Sequence, residues 1–222
     1  MTTAPTQSDR PRDAGFFLTL EGGDGAGKST QAALLESWLQ ERGHRVLRTR
    51  EPGGTPLGEQ IRQMVLHERG HIAPRAEALL YAADRAHHVE TVVRPALDDG
   101  IVVVQDRYID SSVAYQGVAR HLGDAMIRTI SNWAADNLQP DLTVVLDIDP
   151  AIGRGRMTRS RGGLDRLERE AVAFHTAVRD AFLAMAGNDP DRFLVLDATR
   201  PAEDLGRAIQ AAVAARLPAA HR

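Results

Sequence analysis

The chain has 222 residues, 43% of them apolar, 26% charged and 5% aromatic, with a formal net charge of −3 and no cysteine. That length fits one domain with a sizeable core. The acidic balance argues against a generic nucleic-acid-coating protein, and the lack of thiols excludes disulfides and thiolate metal sites, as suits a reducing cytoplasm. No apolar run approaches the roughly 18 residues of a membrane span.

Residues 1–14 are polar, carry Pro5 and Pro11 and lack the apolar stretch of a signal peptide, so they read as a flexible tail. Residues 15–217 read as one domain and 218–222 as a short C-terminal tail. Five β-like apolar runs stand at 16–20, 45–49, 101–105, 142–147 and 193–196. Helical patterns separate them at 28–42, 57–67, 75–98, 124–137, 150–157, 165–187 and 202–216. Near-continuous runs such as Ile101-Val102-Val103-Val104 suit strands covered on both faces. Their alternation with helices predicts an α/β fold, a five-stranded parallel sheet flanked by helices in three layers. Ligands in such folds sit beyond the carboxyl ends of the strands, so the chemistry is expected just after each run.

The first run leads into Gly22-Gly23-Asp24-Gly25-Ala26-Gly27-Lys28-Ser29-Thr30, which matches G-x-x-x-x-G-K-[ST], the phosphate-cradling P-loop, in its strand–loop–helix setting. The glycines let backbone N–H groups turn toward a phosphate chain, and the helix beginning near Lys28 adds its positive end. Lys28 reaches the β- and γ-phosphates and the Ser29 hydroxyl can ligate Mg²⁺. The second run leads into Arg50-Glu51-Pro52-Gly53-Gly54-Thr55. Within 75–98, Tyr81 and Arg85 are four apart, so a ring that stacks on a base and a guanidinium that bonds its edge would share a face. A core-edge tyrosine beside a snorkelling arginine fits the same spacing.

The third run ends in Asp106-Arg107-Tyr108. A carboxylate at the end of a buried strand is the Walker B arrangement, which steers Mg²⁺ or orients an attacking phosphate oxygen, while Arg107 offsets charge on the transferring group. A surface ion pair at a strand end is the plainer reading. Ser111-Ser112-Val113-Ala114-Tyr115-Gln116-Gly117 follows, either a substrate-facing segment or a polar loop before a helix. After the fourth run, Arg154, Arg156, Arg159, Arg161, Arg166 and Arg169 crowd together with interleaved glycines. They fit a mobile basic lid at about 154–164, a solvated charge-laced helix or a nucleic-acid patch. The histidines show no metal-ligand spacing and read as structural or surface residues, and no Asn-Lys-x-Asp motif of a GTPase occurs.

With these residues in place the chain resembles the bacterial thymidylate kinase family, P-loop nucleoside-monophosphate kinases, over about residues 16–215. The P-loop, Arg50-Glu51-Pro52-Gly53-Gly54, Asp106-Arg107-Tyr108 with Ala114-Tyr115-Gln116-Gly117, Pro140-Asp141-Leu142-Thr143 and Leu164-Asp165-Arg166-Leu167-Glu168 carry the resemblance. It implies a P-loop NTPase fold with a mobile lid, and transfer of the ATP γ-phosphoryl to dTMP, giving dTDP, with Mg²⁺. It also implies a cytoplasmic homodimer that binds neither nucleic acid nor membrane. Gly22 to Thr30 would hold ATP, with Ser29 and Asp106 at the metal. Asp24, Glu51, Pro52, Arg62, Tyr81, Arg85, Arg107, Ser111, Ser112, Tyr115 and Gln116 would form the dTMP site. Within it Tyr81 would stack on thymine, Arg85 would bond a thymine carbonyl, Ser112 and Gln116 would meet the base edge, and Tyr115 would sit where a ribose 2′-OH would go. Ala26 stands where some members place an arginine; members without it use lid arginines, which points to Arg159 and Arg161 beside Lys28, Asp106 and Arg107 as the catalytic set. A kinase for another nucleotide, and a P-loop ATPase switch that acts on a protein partner, are the alternatives.

Overall fold

The computed structural model describes residues 15–67, 70–160 and 165–217, apart from the side chains of 159 and 160. The expected tails at 1–14 and 218–222, and Arg161, lie outside the described residues. Five strands form where the apolar runs stand: β1 (Phe17–Gly22), β2 (Val46–Arg50), β3 (Val102–Asp106), β4 (Leu142–Asp147) and β5 (Phe193–Asp197). All pair in parallel in the order β2-β3-β1-β4-β5.

The period of two sends alternate side chains of the central strands to opposite faces. Leu18, Leu20, Val102 and Val104 pack with Leu35 and Leu39 of α1 (Lys28–Gln40) and with Leu205 and Ile209 of α9 (Ala202–Ala214). Phe17 and Val103 face the other way, toward Val89, Val93 and Leu97. Those residues belong to the long helical run of α3 (Pro74–His88), a π-type turn (Val89–Val93) and α4 (Arg94–Asp98). Each such buried aliphatic stabilises the fold by about 1.5–3 kcal/mol, so both faces hold their helices firmly and the result is the three-layer α/β, P-loop NTPase-like fold. The wide turn before α4 has a local cause. Pro95 offers no N–H to the helical ladder and its ring crowds the preceding turn.

Three expectations need correction. Residues 111–117 are not a loop: α5 (Ile109–Ser112) and a π-type turn (Val113–Ala119) make them helical. Their buried side chains include Ser111, Ser112 and Gln116, which meet buried polar partners, so the apolar periodicity that announces a helix is missing. Residues 165–170 form a turn, and α8 (Val172–Asn188) begins only after it. The Asp165 N–H donates to the Glu168 carboxylate at 2.7 Å and the Glu168 N–H donates to the Asp165 carboxylate at 2.9 Å, a reciprocal arrangement that satisfies this turn locally. The helix expected at 124–137 ends earlier, as α6 (Asp124–Ala134), because Asp136 and Asn137 take the left-handed conformation.

Candidate active site

β1 delivers the P-loop to the top of the sheet. Gly27 caps α1 with φ 96°, a conformation glycine adopts without strain, and Gly25 has φ 75°. A Cβ on Gly25 would lie 2.3 Å from the Gly153 carbonyl oxygen, so the loop backs directly onto α7 (Pro150–Ser160). Lys28 is buried and its ammonium donates to the carbonyls of Gly22 at 3.0 Å and Gly23 at 2.9 Å, which stretches it across the loop. Burial, then the nearby Arg107 charge, hold its pKa below the ordinary lysine value. A desolvated cation beside a second cation is a place that gains from an anion. The Ser29 hydroxyl lies 3.4 Å from Asp106 Oδ2, and Asp106 Oδ1 is buried without a hydrogen-bond partner among the described residues. A hydroxyl beside an unspent carboxylate oxygen is the hard-oxygen donor set that Mg²⁺ uses together with phosphate oxygens.

Arg107 stands between this cradle and the rest of the cleft. Its backbone is left-handed, with φ 68°, a cost borne by a non-glycine residue of the kind that collects at functional sites. Its guanidinium donates to Asp24 Oδ1 at 2.5 Å and to the Gly22 carbonyl and Ser111 Oγ at 3.2 Å, and lies 5.1 Å from the Tyr115 ring centre. Burial works against its charge, but Tyr115, Asp24, Asp106 and Glu21 outweigh it and push its pKa above the ordinary arginine value. Burial likewise opposes ionisation of Asp24, yet Arg107 and Lys28 hold its carboxyl below the usual range. The Tyr115 hydroxyl donates to Asp24 Oδ2 at 3.4 Å.

Glu21, which the sequence reading passed over, anchors this arrangement from below. It is fully buried and accepts from the Tyr108 N–H at 2.8 Å and the Ser111 hydroxyl at 2.6 Å. Its signal was a lone carboxyl in an apolar strand directly before the loop. Burial, then Asp110, push its pKa up to about 8. The native state therefore keeps a proton that the unfolded chain gives up near the ordinary value of 4.5. This contribution to stability is complete below that value and is lost as pH rises through about 8. Glu21→Gln is expected to flatten the fall of Tm between pH 5 and pH 9, and an unchanged slope would contradict the assignment.

A cleft of about 1030 Å³ joins these groups. Asp24 to Thr30, Glu51, Pro52, Arg62, Tyr81, Arg85, Asp106, Arg107, Ser111, Ser112, Tyr115 and Gln116 all line it. Of the expected ATP residues only Gly22 and Gly23 do not, and both carbonyls hold Lys28. Arg62 donates to the Pro52 carbonyl at 2.9 Å, and burial lowers its pKa from the ordinary value. Arg85 is fully buried. Its Nε donates to Glu51 at 2.9 Å, Nη1 to Ser131 Oγ and Nη2 to Ser112 Oγ, each at 3.0 Å. Glu51 also meets His88 Nδ1 at 3.1 Å, and the other His88 ring nitrogen lies 2.7 Å from Thr49 Oγ1. Glu51 is thus spent on holding Arg85 and His88. Ser131 escaped the sequence reading because it sits on α6, 46 positions from Arg85, in a helix whose pattern is otherwise unremarkable.

Of the basic stretch, Arg156 reaches the cleft, donating to the Ala198 carbonyl at 3.0 Å and the Gly25 carbonyl at 3.4 Å. Arg154 turns instead to the carbonyls of Glu168 and Glu170. The Arg159 backbone belongs to α7, but its side chain, like all of Arg161, lies outside the described residues.

A parallel sheet whose first strand ends in a lysine-bearing phosphate cradle, with an arginine between that cradle and a second polar pocket, defines a P-loop protein of the nucleotide-kinase class. The thymidylate kinase family model matches residues 20–209. The chain is 63% identical to the thymidylate kinase of Clavibacter michiganensis over 92% of its own length and 97% of that protein. It is 52% identical to the thymidylate kinase of Deinococcus radiodurans, over 91% and 98%. The crystal structure of thymidylate kinase from Ehrlichia chaffeensis superposes with a TM-score of 0.72 at 30% identity, covering 89% of this chain and 99% of that one. The chain belongs to the thymidylate kinase family.

Proposed function

We propose that this chain transfers the γ-phosphoryl group of ATP to the 5′-phosphate of dTMP, giving dTDP, within one kinase domain spanning 15–217. The observation that carries the reading is the single cleft running from the Lys28 cradle, past Arg107, to the Tyr81–Arg85–Gln116 pocket. Gly22 to Thr30 hold the ATP phosphates, and Lys28 exchanges its two carbonyl partners for phosphate oxygens. Ser29 and Asp106 would hold Mg²⁺, which when bound would offset the negative charge of the transferring phosphates. Arg107 and Arg62 grip the dTMP phosphate, Asp24 and Tyr115 face its sugar, Tyr81 stacks on thymine, and Arg85 and Ser112 meet its edge. Glu51 and Pro52 act at one remove, through Arg85 and Arg62. There is no covalent intermediate to build, so the protein's work is alignment and exclusion of water. The segment at about 154–164 serves as lid, with Arg159 and Arg161 supplying charge to the transferring group.

No helix among the described residues is long and apolar enough to cross a membrane, which fits a cytoplasmic enzyme acting on free nucleotides. A homodimer is part of the reading. α2 (Pro56–Arg62), α3 and α6 pack side by side and leave Leu57, Leu79, Met126 and Trp133 exposed. An acceptor panel tests the function: ADP release from ATP is expected with dTMP well above dCMP, dGMP or thymidine. Equal turnover with another acceptor would overturn the choice of substrate.

A further inference from the structure

We propose that Glu77 is a specificity-determining residue: it fixes the amide of Gln116 so that the pocket accepts a base presenting an N–H donor beside a carbonyl, and refuses cytosine. The inference rests on the proposed seating of the base between Tyr81, Arg85 and Gln116.

Glu77 sits in the first turn of α3 and is fully buried. Its described side-chain partners are all donors. Gln116 Nε2 lies 2.9 Å from Oε1, Arg166 Nη2 contacts Oε2, and Arg120 Nη2 lies 3.5 Å from Oε2. A carboxylate held by two guanidinium groups only accepts hydrogen bonds. Gln116, itself buried, must therefore turn its NH₂ end to Glu77. Its side-chain oxygen Oε1, used by none of the described hydrogen bonds, is the end left for a ligand in the cleft that Gln116 lines.

The other half of the reading edge is Arg85. Three of its five N–H groups are spent on Glu51, Ser131 and Ser112, which leaves two. Arg85 and Gln116 both line the cleft, so in the proposed seating of the base a donor from Arg85 and an acceptor from Gln116 meet its edge. The thymine edge, with O4 as acceptor and N3–H as donor, complements both. The cytosine edge, with an amino donor and an unprotonated N3, sets donor against donor and acceptor against acceptor. Mismatched polar groups in a buried site are the strongest means of discrimination available to a pocket, reaching about 10⁴-fold or more. An unanchored glutamine would weaken it, because the two ends of an amide exchange by a simple flip. Glu77 blocks that flip, since a carboxylate has no proton to give the amide oxygen.

The test compares kcat/KM for dTMP, dUMP and dCMP in the native chain and in Glu77→Gln, whose amide both donates and accepts. The expected result is at least a tenfold fall in the dTMP-to-dCMP ratio with the dTMP-to-dUMP ratio unchanged, because uracil shares thymine's edge. Ratios are insensitive to a uniform loss of active protein, so loosening of Arg120 and Arg166 alone would not produce this pattern. Gln116→Leu provides the second arm: it is expected to raise KM for dTMP and to abolish the effect of Glu77→Gln on the ratio. An unchanged dTMP-to-dCMP ratio in Glu77→Gln, with KM raised in Gln116→Leu, overturns the role of Glu77 alone. An unchanged KM in Gln116→Leu overturns the seating of the base on which the inference stands.

Discussion

Lys28→Ala is expected to lower kcat by two to three orders of magnitude while KM for dTMP stays within a few-fold of its native value. The ammonium is buried and already stripped of water, so its field is strong where the phosphoryl group passes. Removing one such preorganised charged donor costs on the order of 10²–10³ in rate. Its two present hydrogen-bond partners are the backbone carbonyls of Gly22 and Gly23, which do not line the cleft, so acceptor binding should survive. Single-turnover kinetics with saturating dTMP measure the step directly, and turnover near the native rate would remove Lys28 from the chemistry.

Arg107→Ala is expected to be as slow and also to bind dTMP more weakly. The same guanidinium touches Asp24, Gly22 and Ser111, so it spans donor cradle and acceptor pocket. Its loss leaves the Asp24 carboxylate, about one-fifth exposed, without its ion pair and with only the field of Lys28 to offset its charge. A stability loss of about 1–3 kcal/mol should accompany the loss of rate. Arg107→Lys separates charge from shape. It keeps a cation but not the rigid fork, and should recover stability while leaving kcat at least tenfold down. Full recovery of kcat in Arg107→Lys would mean that charge alone suffices.

The strands were legible because buried parallel strands are written as short apolar runs, and each begins and ends within about two residues of its run. The P-loop was legible because its register is local. The helix from Ile109 was not, because Ser111, Ser112 and Gln116 place polar atoms inward toward partners that only the fold supplies. The supports of the site escaped for the same reason. Glu21 reaches Ser111 across 90 positions, and Glu77 reaches Gln116 across 39 and Arg166 across 89. No periodicity announces a pairing of that kind. Gly25 and Gly153 show the limit from the other side: only their backbone contact reveals that the P-loop and the helix beginning at Pro150 are packed as one piece.

The most direct measurement is label transfer. With γ-labelled ATP, Mg²⁺ and dTMP, the label should appear in dTDP, one equivalent for each ADP formed, and should appear there at least a hundredfold more slowly in Lys28→Ala. Label released as inorganic phosphate at a rate indifferent to dTMP would contradict the account.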